Sequence, residues 1–248
     1  MDDFETSTLW RISAFQHARD DGQFGPRLGE DRLTFLPTTL LSDLQQLQND
    51  PTNGDVLEVI AACIRNHEAA LLYLEHGAYV WPVTLFPREF LYHSPRDVSD
   101  MASGSALSGL SLISAEPPGV RPPGDPMRER VASTDKYHPL AALLWAIALH
   151  GPRATLLTEI SGRVAYRLVS SSAKDLPPSL GALSSAVVRL KQEAASLGEI
   201  ANWPGLSVER ASRLLNALYL VGALMISRSH PAARRHPVDW RGLLGRRR

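Results

Sequence analysis

Apolar and polar residues alternate through "STLWRISAFQ" and again through "DRLTFLP", on either side of a turn-rich "RDDGQFGPRLGED". A period of two marks half-buried strands, so residues 1–36 predict two extended segments joined by a surface loop. The period changes at Pro37. Leu40, Leu41, Leu44 and Leu47 then share one helical face, "NDPTNGD" breaks the pattern, and Asp55 can cap a second helix striped by Leu57, Ile60, Ala61 and Ile64. The run "AALLYLEHGAYVWPVTLFPREFLYHSPRD" is dense in β-formers from Leu72 to Tyr92, with turn signals at His76-Gly77 and Pro87-Arg88. It predicts three antiparallel strands, with Pro82 at an edge or a bulge because proline has no N–H for a central ladder.

A last strand is expected from Leu110 to Ala115. "EPPGVRPPGDPMRER" follows, and its prolines favour an extended, fairly stiff connection. Regular pattern resumes at "YHPLAALLWAIALHGP", a helix apolar nearly all round and bounded by Pro139 and Gly151-Pro152. "RVAYRLVS" reads as a strand and "LGALSSAVVRLKQEA" as an amphipathic helix. The fold class is therefore α+β: an N-terminal antiparallel-sheet-plus-helices module, then a mainly helical winged-helix-like domain. The expected boundaries are 1–115 for the module, 116–136 for a Pro/Gly-rich linker, 137–230 for the second domain and 231–248 for a basic tail.

The winged-helix expectation rests on "GEIANWPGLSVERASRLLNALYLVGAL". Ala201 is small where two helices must approach, and Gly205 sits where the sharp turn needs a positive φ. Ser207 can cap the second helix, and Ala211, Leu214, Leu215 and Leu218 keep one face apolar. "ALMIS" would then pair as a strand and "RSHPAARRHP" would form the wing. Glu209, Arg210, Ser212, Arg213 and Asn216 are the solvent-facing candidates. Arginine and asparagine are the side chains that bond guanine and adenine edges bidentately. A DNA-reading version would use Arg210, Arg213 and Asn216 in the groove and Arg228, Arg234 and Arg235 on phosphates. Against it stands Glu209, whose charge repels phosphate at the leading end of the helix.

Two of these segments, with "YHPLAALLWAIAL", carry a family resemblance. The helix-plus-strand module holding "LLYLEHGAYVWPV", followed by "SLGEIANWPGLSVERASRLLNALYLVGALMISR", resembles the bacterial PATAN-type signalling proteins. The resemblance covers roughly two thirds of the chain. It implies a small α/β module coupled to a helical, winged-helix-like region, used in two-component and surface-motility signalling through protein–protein contacts. No receiver domain with a phospho-acceptor aspartate is present in the sequence.

Composition narrows the chemistry. Of 248 residues, 44% are hydrophobic and 21% charged, and the formal net charge is zero. Such neutrality argues against sequence-independent coating of nucleic acid. One cysteine, Cys63, excludes an intrachain disulfide and a cysteine-based zinc cluster. The N-terminus is acidic and lacks signal-peptide features, and the longest apolar run is about half a bilayer span. We therefore expect a cytoplasmic protein with no membrane insertion.

No P-loop, dinucleotide fingerprint, nucleophile elbow or metal-spaced histidine pair occurs. His93, Ser94, Arg96 and Asp97 are adjacent, but a strand end running into a turn explains them without catalysis. The expected reading is thus a non-enzymatic regulatory or adaptor protein that needs no cofactor. A protein partner would contact Tyr79, Trp81, Arg88 or Trp203. The alternative is a DNA-binding winged-helix regulator, and a hydrolase with an atypical first-domain site comes third.

Overall fold

Seven residues from Ala70 pair in full register with seven from Tyr79, Ala70 against Leu85 through His76 against Tyr79. These strands organise the first of two units, Met1–Arg153 and Ala154–Arg248. The computed structural model describes residues 9–21, 36–48, 55–101, 106–169 and 176–234. The chain is α+β.

In the first unit, β1 (Trp10–Arg11) leads into α1 (Ile12–Asp20), followed by α2 (Thr38–Gln48) and α3 (Val56–Asn66). The strands β2 (Ala70–His76), β3 (Tyr79–Phe86) and β4 (Leu91–His93) come next. Then come α4 (Val98–Met101), β5 (Ser111–Glu116), β6 (Tyr137–Pro139) and α5 (Leu140–His150). The antiparallel sheet runs β5-β2-β3-β4-β6, with β1 on β3 beyond the end of β4. The turns fall where the sequence placed them. Pro82 lies between Val80, paired to β1, and Thr84, paired to β4. On that side of β3 the ladder has a gap, where a residue without an N–H is tolerated.

Both faces of β2 and β3 are buried. Leu71, Tyr73 and Val80 share one face with Phe15 of α1, the Phe15 and Tyr73 rings lying 5.0 Å apart. Leu72, Leu74, Trp81 and Val83 fill the other. A β-bulge at Tyr73/Leu74 leaves Ile113 without a register partner and lets it pack with the Phe15 cluster. Asp55 caps α3 as expected, accepting from the N–H of Leu57 (2.9 Å) and Glu58 (3.4 Å).

Three expectations change in this unit. Among the described residues of "STLWRISAFQ", strand is confined to the two residues of β1. From Ile12 the apolar spacing is helical (Ile12, Phe15, Ala18), and α1 buries Phe15 and Ala18. The second expected segment, "DRLTFLP", lies outside the described residues except for Leu36 and Pro37. Residues 116–136 do not separate two domains. Arg121 bridges Val131, and the Tyr137 hydroxyl donates to the Arg121 carbonyl while accepting from the Ala132 N–H (2.9 Å). Beyond that loop β6 pairs with β4, and α5 packs on β4. The division therefore falls at Arg153/Ala154, and the "YHPLAALLWAIAL" helix belongs to the first unit.

The second unit contains β7 (Ala165–Leu168), α6 (Ala182–Gln192), α7 (Leu197–Ala201), α8 (Val208–Leu220), β8 (Leu224–Ser227) and α9 (Pro231–Arg234). Ser196 and Glu199 form a capping box on α7, and Ser207 caps α8 through the Arg210 N–H at 3.2 Å. Between these helices Gly205 has φ +74°, and a Cβ there would stand 2.8 Å from the Ala182 Cβ. Both facts require glycine. The expected hairpin wing is absent from the described residues. Of the expected wing segment, residues 228–230 form a bend, 231–234 form α9 and 235–237 lie outside the described residues; the partner of β8 is β7, from earlier in the chain. Among the described residues no helix is long and apolar enough to cross a membrane.

Candidate functional site

The helix α8 carries most of the predicted chemistry, so its faces decide what the second unit can do. Ala211, Leu214, Leu215 and Leu218 are buried, as their spacing requires. Asn216 and Ser212 are buried as well, which corrects their assignment as solvent-facing residues. Asn216 is 0% exposed: its Oδ1 accepts from the Leu157 N–H and its Nδ2 donates to the Thr155 carbonyl, both at 2.9 Å. Each polar atom of the amide thus carries a bond to one backbone segment, 155–157. The same donor–acceptor pair would be needed to read an adenine edge. With both atoms bonded to backbone, that capacity is used inside the unit.

The neighbouring arginines are also engaged. Arg210 is exposed, with a guanidinium N–H donating to the Gly205 carbonyl at 2.5 Å. Arg213 pairs with Glu209 one turn back at 3.0 Å. Val208 and Glu209, exposed at the start of the helix, contribute an apolar and an anionic group. Arg228 is exposed in the turn after β8. Arg234 ends α9, its side chain lying outside the described residues, as does Arg235.

The four partner-contact candidates separate. Tyr79 is 42% exposed at the start of β3. Arg88 is exposed, bonded to the His67 carbonyl (2.9 Å) and paired with Glu68 (3.1 Å). Trp81 is wholly buried, and its indole N–H donates to Ser94 Oγ at 2.6 Å, which withdraws it as a contact residue. Trp203, 8% exposed, lies in the turn before Gly205 with the Arg189 guanidinium 4.5 Å above its ring. That cation–π contact ties the turn to α6. Trp203 is likewise internal.

In the first unit, His138 on β6 sets its Nδ1 3.1 Å from Asp97 Oδ2. The Tyr92 hydroxyl donates to the same carboxylate (3.3 Å) and accepts from the Val98 N–H (2.8 Å). Burial alone would raise the Asp97 pKa, but bonds from the Ser99 hydroxyl and N–H, with His138 and Tyr92, hold it below the ordinary value. Burial raises the Tyr92 phenol. A histidine–carboxylate pair can position a general base, yet the opposite nitrogen, His138 Nε2, is itself buried and has no hydrogen-bond partner among the described residues. In this form the cluster ties β6 to the loop before α4. Sequence reasoning noticed Asp97 but missed His138, 41 residues away in a segment read as a domain start.

A second unforeseen cluster sits at the N-terminus of α3. Arg153 pairs with Asp55 and, at 2.9 Å, with Glu58, all three side chains being largely buried. No family model, no curated protein and no solved structure matches the chain.

Proposed function

We propose that the chain is a non-enzymatic bacterial regulatory or adaptor protein of the PATAN type, working through protein–protein contacts. Its second unit is a winged-helix-like packing module in this reading. The observation that carries it is the occupied amide of Asn216. A recognition helix must present base-reading side chains along its outer face. On α8 the Asn216 amide is bonded to Thr155 and Leu157, Arg213 is held by Glu209, and Arg210 reaches back to Gly205. Tyr79 in the first unit remains exposed for contact.

The DNA-binding reading draws on one specific feature. From Arg210 to Val238 the sequence holds five arginines and no Asp or Glu. Titration of labelled duplexes at low salt separates the two. The adaptor reading expects weak, sequence-independent binding that is the same in an Arg210→Ala/Arg213→Ala variant. Sequence-selective binding, falling by about 0.9 log units per log unit of salt for each phosphate contacted and lost in that variant, would overturn it.

A further inference from the structure

Among the described residues, the outer edge of β8 is unpaired backbone in a basic setting. The phase of the β7–β8 ladder is set by the Val169 N–H, which donates to the Ala223 carbonyl at 2.8 Å. In an antiparallel pair such bonded positions alternate, so Arg167–Met225 is bonded in turn. Tyr166, between them, turns its N–H and C=O away from β8 to Ala195, at 2.8 and 3.0 Å. By the same alternation Leu224 and Ile226 point their N–H and C=O groups away from β7. No described residue pairs with them.

Edges of this kind are ordinarily blunted by charge, proline or a bulge. In the first unit, β6 ends in Pro139, and β5 carries the bulge at Ile113 and ends in Glu116. Leu224–Ser227 has none of these devices, and Met225 is 55% exposed. The surroundings are basic. Arg167, on the same face as Met225, and Arg228, just past the strand, are exposed. No Asp or Glu occurs between Glu159 and Asp175 or from Arg210 to Val238.

We propose that the outer edge of β8 accepts an extended acidic segment of a partner protein as an added strand. This rests on the adaptor reading and names the partner's chemistry. Leu224 and Ile226 supply the main-chain bonds, which is the way sheet edges capture peptides. Acidic side chains of the added strand lie on the Met225 face near Arg167, and apolar ones lie on the face of Ile226 and Tyr166. An extended peptide is favoured over nucleic acid because the edge presents alternating donors and acceptors at strand spacing, whereas a phosphate backbone takes donors alone.

The test uses the full chain and a fluorescent peptide of about six alternating valines and glutamates. Binding is expected by anisotropy, with hydrogen exchange of the Leu224 and Ile226 amides slowed about tenfold or more. Ile226→Pro removes an outward N–H and no β7 bond, and should abolish binding with thermal melting little changed. Met225→Glu, which leaves the backbone intact, should weaken it about tenfold by charge repulsion. Failure of the peptide to bind, equal binding of a proline-interrupted version, or protection of the two amides by self-association would overturn the proposal. So would tighter binding of duplex DNA at this edge. Peptide failure without DNA binding removes the edge proposal alone, whereas sequence-selective DNA binding removes the adaptor reading itself.

Discussion

The side-chain amide of Asn216 accepts a hydrogen bond from the Leu157 backbone N–H across 59 residues of chain, with both groups buried. Together with the bond to Thr155, it fastens the first residues of the second unit to its longest helix. A buried amide so satisfied is costly to remove, because its partners are left unpaired away from water.

Asn216→Ala should accordingly destabilise the second unit by about 1–3 kcal/mol, the cost of a buried backbone group left without a partner. Asn216→Asp keeps an acceptor for Leu157 but loses the donor to Thr155 and buries a charge, and should be worse at neutral pH. Thermal or urea unfolding of the two variants beside the parent measures both.

Replacing Gly205 tests the turn. A side chain there meets both a left-handed backbone, costing about 1–2 kcal/mol, and the Ala182 methyl. Gly205→Ala should lower the stability of the second unit by at least that amount. Calorimetry that resolves the two units should show the loss in one of them.

The Arg153 cluster predicts a stability effect in the first unit. Arg153→Ala leaves Asp55 and Glu58 facing each other without their shared cation, and removing one member of a buried ion pair costs about 3–5 kcal/mol. Asp55 also caps α3, so Asp55→Ala loses the cap and the pair together. Denaturant midpoints of the two variants should both fall, Asp55→Ala at least as far as a cap alone would require.

Acid should find the carboxylates at positions 43 and 97. Burial would raise both. Arg65 and Asn66 bonded to Asp43, and Ser99, His138 and Tyr92 around Asp97, outweigh it and hold the folded values below the ordinary range. The unfolded chain therefore takes up these protons first. The stabilisation is complete above the unfolded pKa, near 4, and is lost as pH falls through the folded values. Asp97→Asn should flatten the acid limb of stability against pH, with little change in slope above pH ~5. Denaturation midpoints measured from acid to neutral pH give both curves.

Cys63 reports opening of the first unit. It is wholly buried in α3, and burial pushes its thiol pKa up to about 12. Thiolate is the reactive form, so alkylation at pH ~8 should be very slow in the folded protein and rapid in denaturant. Rapid labelling under native conditions would place Cys63 at the surface.

How far the fold was legible follows from which signals are local. The strands of the 70–93 meander, the caps at Asp55 and Ser207 and the positive φ at Gly205 are each signalled by residues within or beside the element itself, and they formed as read. Trp81 misled because β2 and β3 are covered on both faces, so alternation along the strand no longer separates inside from outside. Residues 116–136 misled because proline erases periodicity without forbidding attachment, and the attachment is a tyrosine hydroxyl at Tyr137. Asn216 misled for the deepest reason. A polar side chain on a helix reads as solvated unless its partner is visible, and its partners lie 59 and 61 residues earlier.

Hydrogen exchange at the Leu157 amide, followed by NMR with and without duplex DNA, tests the central claim most directly. Strong protection that survives addition of DNA and falls in Asn216→Ala is the predicted result. Exchange at the rate of an open loop, or protection that disappears as DNA engages α8, would contradict it.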